Sequence, residues 1–179
     1  MDFEHARAPR LTLDRAGGGA AMRPLRALSI RQPWAWAIVA LGKDIENRKW
    51  RTHHRGRTLI HAGKGLKSQD LEDFLGLAEA EPAIMARLTA AGGLPMDHLR
   101  EQCGGIVGAV EIRDCVTHSD SPWFVGRFGF VLANAEPLPF RPCPGQLGFF
   151  TPADGSMPAP APRPAIEPEP DLFSHPRHA

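Results

Sequence analysis

The chain has 179 residues, of which 36 (18 Gly plus 18 Pro) interrupt helix interiors, so one domain with a core and tails is expected rather than a helical bundle or coiled coil. No run approaches the roughly 20 apolar residues that span a bilayer, and the opening MDFEHARAPR lacks a secretory apolar block, so a cytoplasmic protein with no membrane partner is expected. The net charge of +1 conceals an asymmetry: residues 31–67 carry nine Lys or Arg against Asp44 and Glu46, whereas residues 68–179 carry seven basic against fifteen acidic. Such a concentrated patch steers polyanions to one face.

Residues 1–24, with the run AGGGAA, have no sustained hydrophobic period and read as a flexible leader. LRALSI reads as a strand, and Pro33 then opens a helix in which Trp34, Ala37, Ile38 and Leu41 form an apolar stripe with Trp36 off it. Gly42 ends that helix. DIENRKW switches to strand period, with Glu46, Arg48 and Trp50 on one face and Ile45 on the other; TLIHA follows as a further strand after the turn HHRGR. From Ser68 to about Arg100 the residues favour helix, with Ser68 as N-cap and Asp70, Glu72 and Asp73 near the positive helix end.

GGIVGAVEIRDCV is the clearest strand, with Ile106, Val110, Ile112 and Val116 on one face and Val107, Ala109, Glu111, Arg113 and Cys115 on the other. RFGFVLANAEPLPF and QLGFF supply short aromatic strands between turns. Helices are expected between the first and third strands, giving an α+β domain over residues 25–150 with a curved sheet or small barrel. Residues 151–179 hold SMPAPAPRPAIEPEP and read as a Pro-rich disordered tail, either inert or docking a protein partner. Cys103, Cys115 and Cys143 are odd in number and fit neither a disulfide framework nor zinc knuckles, so buried thiols are expected.

AGKGLKS resembles a phosphate loop, but Leu66 stands where the GxxxxGK[ST] pattern needs glycine; what remains is a lysine-bearing turn at a helix start. His53, His54 and His61 have no carboxylate or cysteine at ligand spacing, and neighbouring histidines point apart, so no metal site is expected. Tyrosine is absent, leaving Trp and Phe for base stacking; Trp50 within ENRKWR has the cationic setting that single-stranded nucleic acid uses, Trp34 reads as core, and Trp123 fits either role. Lys43, at the helix-to-strand turn, lies three residues before Glu46, which shares a strand face with Arg48. In one reading Lys43 polarises a carbonyl or phosphate, Glu46 is a general base, Arg48 binds an anion and Glu111 is a second acid/base. In the other, Glu46 and Arg48 form a surface salt bridge.

LSIRQPWAWAIVALGKDIENRKWR resembles the signature of the ASCH family, small domains similar to the PUA fold, and the likeness continues through LIHAGK, GGIVGAVEIRDCV and GQLGFF. The resemblance implies a small PUA-like β-barrel with flanking helices and a cleft that takes RNA or a modified nucleoside. The family's pattern GxKxxExR places Lys43, Glu46 and Arg48, with the glycine displaced to Gly42 beside the lysine. Some members remove the acetyl group of N4-acetylcytidine with a lysine, a threonine and a glutamate; here Glu46 holds the threonine's position, so that chemistry would run through a Glu-activated water. Others bind or cleave RNA. The expectation is thus an RNA-binding protein with Arg31, Gln32, Arg48, Lys49, Trp50, Arg51, Arg55 and Lys64 along the cleft. The alternative is a hydrolase of RNA or of a modified nucleoside working through Lys43, Glu46 and Glu111, without a cofactor unless a ribonuclease activity calls for a divalent ion.

Overall fold

A computed structural model describes residues 25–153. The leader at 1–24 lies outside the described residues, as does the tail beyond 153 with its proposed docking role. Strand β1 (Arg26–Gln32) leads into α1 (Trp34–Ala40) and β2 (Ile45–Arg48). Strand β3 (Gly56–Leu66) precedes three helices, α2 (Ser68–Ala80), α3 (Pro82–Ala90) and α4 (Met96–Glu101), and β4 (Gly105–Val116), β5 (Phe128–Pro142) and β6 (Phe149–Phe150) complete the chain. Helices therefore separate β1 from β2 and β3 from β4, not only the first three strands.

All six strands join one sheet in the order β2-β5-β4-β3-β1-β6, parallel between β1 and β3 and antiparallel elsewhere. Three register shifts along the β4–β5 ladder bend it, as bulges do. The bent sheet curls into a half-barrel, and its seam is bridged where Arg48, at the end of β2, donates to the Ser29 carbonyl of β1 at 2.6 Å. Trp50 covers the end of this half-barrel, edge-on to Phe130 at 5.1 Å and Phe149 at 5.7 Å.

Helix α1 departs from the expected stripe. Trp36 is buried along with Ala35, Ala37 and Ile38, whereas Trp34 is only half-buried. The helix lies between two apolar clusters: Ala35 and Ile38 pack on the sheet with Leu28, Ile60 and Phe130, while Trp36, Ala37 and Leu41 pack on Phe74, Ile84, Leu88 and Trp123. An amphipathic pattern assumes one wet face, and a helix wedged between sheet and helices has almost none. Gln32 Oε1 accepts the free Trp36 N–H at 3.0 Å, and Arg87 of α3 donates to the Leu41 carbonyl at 3.0 Å, so both ends of α1 are capped by side chains from outside it.

Other boundaries differ for local reasons. Strand β2 stops at Arg48, leaving Lys49 and Trp50 in the bend that turns the chain over the barrel end. The glycine-rich AGKGL continues β3, with Leu66 paired to Gln32, so the lysine-bearing turn is a strand end. Ser68 is the first residue of α2; Lys67 takes the N-cap position and makes no side-chain cap. A bulge between Ile106 and Gly108 alters the faces of β4, placing Val107 with Val110 and Ile112 in one cluster and Ile106 with Ala109 in another. No helix among the described residues is long and apolar enough to cross a membrane.

Phe74, fully buried, sits 5.3 Å from Trp34 in an edge-to-face pair and ties α2 to α1. Phe74→Ala is expected to destabilise the domain by about 3–5 kcal/mol, read as a lowered urea midpoint with an unchanged slope.

Candidate functional site

The turn after α1 and the start of β2 place three charges in contact. Gly42, at φ 67, allows the chain to reverse, and Lys43 N–H returns to the Ala37 carbonyl at 3.0 Å. This aims the Lys43 side chain inward, where it is 3% exposed and donates from Nζ to Glu46 Oε2 at 2.9 Å and to the Ile45 carbonyl. Glu46 is itself 7% exposed. Its other oxygen lies 3.2 Å from Arg48 Nε, close enough for an ion pair though without the alignment of a hydrogen bond. Burying charges is costly unless they compensate one another, and here one carboxylate sits between two cations.

Lys43 and Glu46 line a cavity of ≈ 160 Å³ together with Trp34, Asn47 and Val125. Trp34 supplies an aromatic wall, braced from behind by Phe74. Asn47 holds the opposite wall: its Nδ2 donates to the Trp123 carbonyl at 2.7 Å, and its Oδ1 accepts the Val125 N–H at 3.1 Å. Asp44 adds a second tether by accepting the Ser121 hydroxyl at 2.5 Å. Residues 121–125 are thus fastened to the start of β2 from far along the chain. Trp34, Asn47 and Val125 were missed as cavity residues by sequence reasoning. The one local signal was that Asn47 stands between Glu46 and Arg48; nothing in the sequence indicated its partners more than seventy residues away.

The remaining expected site residues are dispersed. Gln32 is buried and spends its acceptor on α1. Arg31 is exposed and pairs with Asp70 at 3.3 Å, while Arg55 pairs with Asp114 at 2.6 Å. Lys49, Arg51 and Lys64 are exposed, and Trp50 is 38% exposed. Glu111 lines a different cavity, of ≈ 190 Å³, with Arg57, Val110 and Asn134, and is paired with Arg113 at 3.0 Å. The structure brings Lys43, Glu46 and Arg48 together and sets Glu111 apart from them.

Of the three histidines noted in the sequence, His53 is exposed and His61 is buried beneath the loop before β6. The carbonyl of Cys143 can only accept, so His61 Nε2 donates to it at 3.1 Å and Nδ1 takes the Ser29 hydroxyl at 3.2 Å. A Cβ on Gly145 would collide with this ring, so that loop can close over His61 only with glycine there. Burial pushes the His61 pKa below its ordinary 6.5, and burial followed by the nearby Arg26 and Arg55 charges does the same for His54. Among the described residues no three His, Cys, Asp or Glu side chains converge as a metal-binding group.

Depressed histidine pKa values mean that the unfolded chain binds more protons than the native one. Their contribution to stability is complete above pH 6.5 and declines as pH falls through the lowered native values. Chemical denaturation at pH values from about 7 to about 5 should therefore show falling stability, and His61→Gln, which keeps a donor and an acceptor, should flatten that slope. At the charged cluster, Glu46→Gln leaves the buried Lys43 and the half-buried Arg48 without a counter-charge and should cost about 3 kcal/mol; Lys43→Met leaves Glu46 with Arg48 and should cost less.

No curated protein matches this chain. The family model of the ASCH domain does match it, over residues 28–123, a span that opens within β1, takes in Lys43, Glu46 and Arg48, and closes on Trp123, whose carbonyl holds Asn47. More than half of the chain lies within that span, and the protein belongs to the ASCH domain family.

Proposed function

We propose that this protein binds RNA and takes one base into the cavity at Lys43 and Glu46. The observation that carries the reading is the convergence of an ammonium, a carboxylate and the Trp34 ring on a single hollow. At ≈ 160 Å³ the hollow is well below the roughly 300–1,000 Å³ of pockets that enclose drug-sized ligands, and it suits one planar ring with the rest of the nucleotide outside. Trp34 offers a stacking face, while Lys43 as donor and Glu46 as acceptor face the polar edge of a base. The exposed cations Lys49, Arg51 and Lys64 have no carboxylate partner among the described residues and are available to phosphates. ASCH membership suggests nucleic-acid binding and supports this choice.

A second reading, hydrolysis of RNA or of a modified nucleoside, is favoured by the 2.9 Å contact between Lys43 Nζ and Glu46 at the cavity. Here Glu46 would position water for attack and Lys43 would stabilise the developing oxyanion. Binding is preferred because each Glu46 oxygen already faces a cation, which suits holding a ligand better than taking a proton from water.

Titration calorimetry with short RNAs and modified nucleosides, with and without divalent ions, tests both readings. Stacking is worth about 1–3 kcal/mol per base, so Trp34→Leu should weaken RNA binding by roughly fivefold or more while the protein still unfolds cooperatively. Unchanged affinity in that variant would remove the base-in-cavity reading. Product formation abolished by Lys43→Met would establish the hydrolase, and no product from any substrate would exclude it.

A further inference from the structure

The cations of this domain fall into two populations. Most arginines have a carboxylate partner, such as Arg31 with Asp70, Arg55 with Asp114 and Arg57 with Glu136. Arg26, Lys49, Arg51, Lys64, Lys67, Arg87 and Arg127 are exposed and have no carboxylate partner among the described residues. Three of these seven lie over aromatic rings: Arg51 and Arg127 are 5.5 Å and 5.2 Å from the centre of Phe128, and Arg26 is 5.6 Å from that of Phe149. Trp50, next to Arg51 in the chain, is edge-on to Phe149. A guanidinium seated on a ring face keeps its N–H edge open, and that edge suits a phosphate. Like charges gathered without counter-charges repel each other, and a bound polyanion relieves this.

The patch adjoins the cavity along the chain. Val125 lines the cavity, and a Cβ at the next residue, Gly126, would stand 3.1 Å from Asn47 Cβ, so the chain runs from the cavity wall directly to Arg127 and Phe128. Across the β2–β5 ladder, Phe128 pairs with Arg48 and Phe130 with Glu46. Phe128 with its two arginines thus follows the cavity wall in the chain, and the exposed Trp50 and Arg26 on Phe149 lie at the same end of the sheet, where β1 and β5 start and β2 and β6 finish.

We infer that the cavity's ligand is a base within a single-stranded polynucleotide, not a free nucleoside, and that the flanking nucleotides cross Phe128 and Trp50 with phosphates on Arg51, Arg127 and Arg26. This rests on the base-in-cavity reading and adds the class of substrate and the path it takes. Interleaved rings and cations favour a single strand, because a duplex keeps its bases stacked within. Arg26 and Arg127 lie outside the basic segment of the sequence, at the starts of β1 and β5, and only the strand pairing of the curled sheet brings them to the same end. An anionic membrane, which could use the fully exposed Leu147 near Trp50, would leave the adjacency to the cavity without a purpose.

Fluorescence anisotropy with the full chain tests this. The probes are labelled single strands from one nucleotide to about 12, within the length that single-strand-binding domains cover, as RNA and as DNA of the same sequence, with the matching duplex and phosphatidylglycerol vesicles as competitors. Affinity should rise with strand length for either sugar. The double variant Arg51→Ala/Arg127→Ala should lose at least tenfold for the longest strand, and its salt slope should fall by about 1.4, or about 0.7 for each phosphate contact removed. Charge-keeping Arg127→Lys should restore part of the slope. The inference is overturned if the longest strand binds no tighter than a mononucleotide, if the duplex or the vesicles compete as well as the single strand, or if the length dependence survives the double variant. A mononucleotide whose binding depends on Trp34, alongside absent length dependence, would sink this inference alone; mononucleotide binding indifferent to Trp34→Leu would sink the cavity reading.

Discussion

A carboxylate buried between two cations fixes the architecture around it. Glu46 compensates Lys43, which has almost no access to water, and Arg48, which reaches on to the Ser29 carbonyl and bridges the open seam of the half-barrel. Lys43 could not be left in that place alone. The turn at Gly42, the start of β2 and the seam with β1 must therefore form together, and the cavity forms with them. A salt bridge at the surface would impose no such constraint, and that was the simpler of the two readings of Glu46 and Arg48 open from the sequence.

What the sequence disclosed was local. The strand period of β4, the helix signal after Ser68 and the spacing of Lys43, Glu46 and Arg48 each arise within a dozen residues, where periodicity and turn chemistry act. What it concealed came from contacts between distant segments. Trp36 lay off the apolar stripe yet is buried, because α1 is covered on two sides. Trp34 read as core and does pack against both apolar clusters, but it also lines the cavity, which the sequence did not reveal. The glycines around Lys64 suggested a loop, but pairing of Leu66 with Gln32 carries the strand through them. Glu111 carried the right chemistry on a strand whose curvature delivers it to a different hollow.

The charge asymmetry of the chain has a related history. Nine basic residues within 31–67 suggested one uniform cationic surface. Folding divides them: Lys43 and Arg48 are used internally, Arg31, Arg55 and Arg57 are neutralised by acids from elsewhere, Lys64 and Lys67 stand at the far end of β3, and Lys49 and Arg51 are joined at the barrel end by Arg26 and Arg127. Net charge along a sequence therefore located the basic region without revealing which of its members face a ligand.

Asn47 separates two properties of the hollow that usually change together. Its polarity comes from residues 43–48, whose ionic compensation resists substitution, whereas part of its outline is Val125, at the end of a turn around 121–125 fastened by only a few hydrogen bonds. Replacing or lengthening that segment would remodel what fits inside while the ionic floor stayed as it is. Selectivity in this domain can thus drift through loop exchange, without passing through a state that has lost its charge balance.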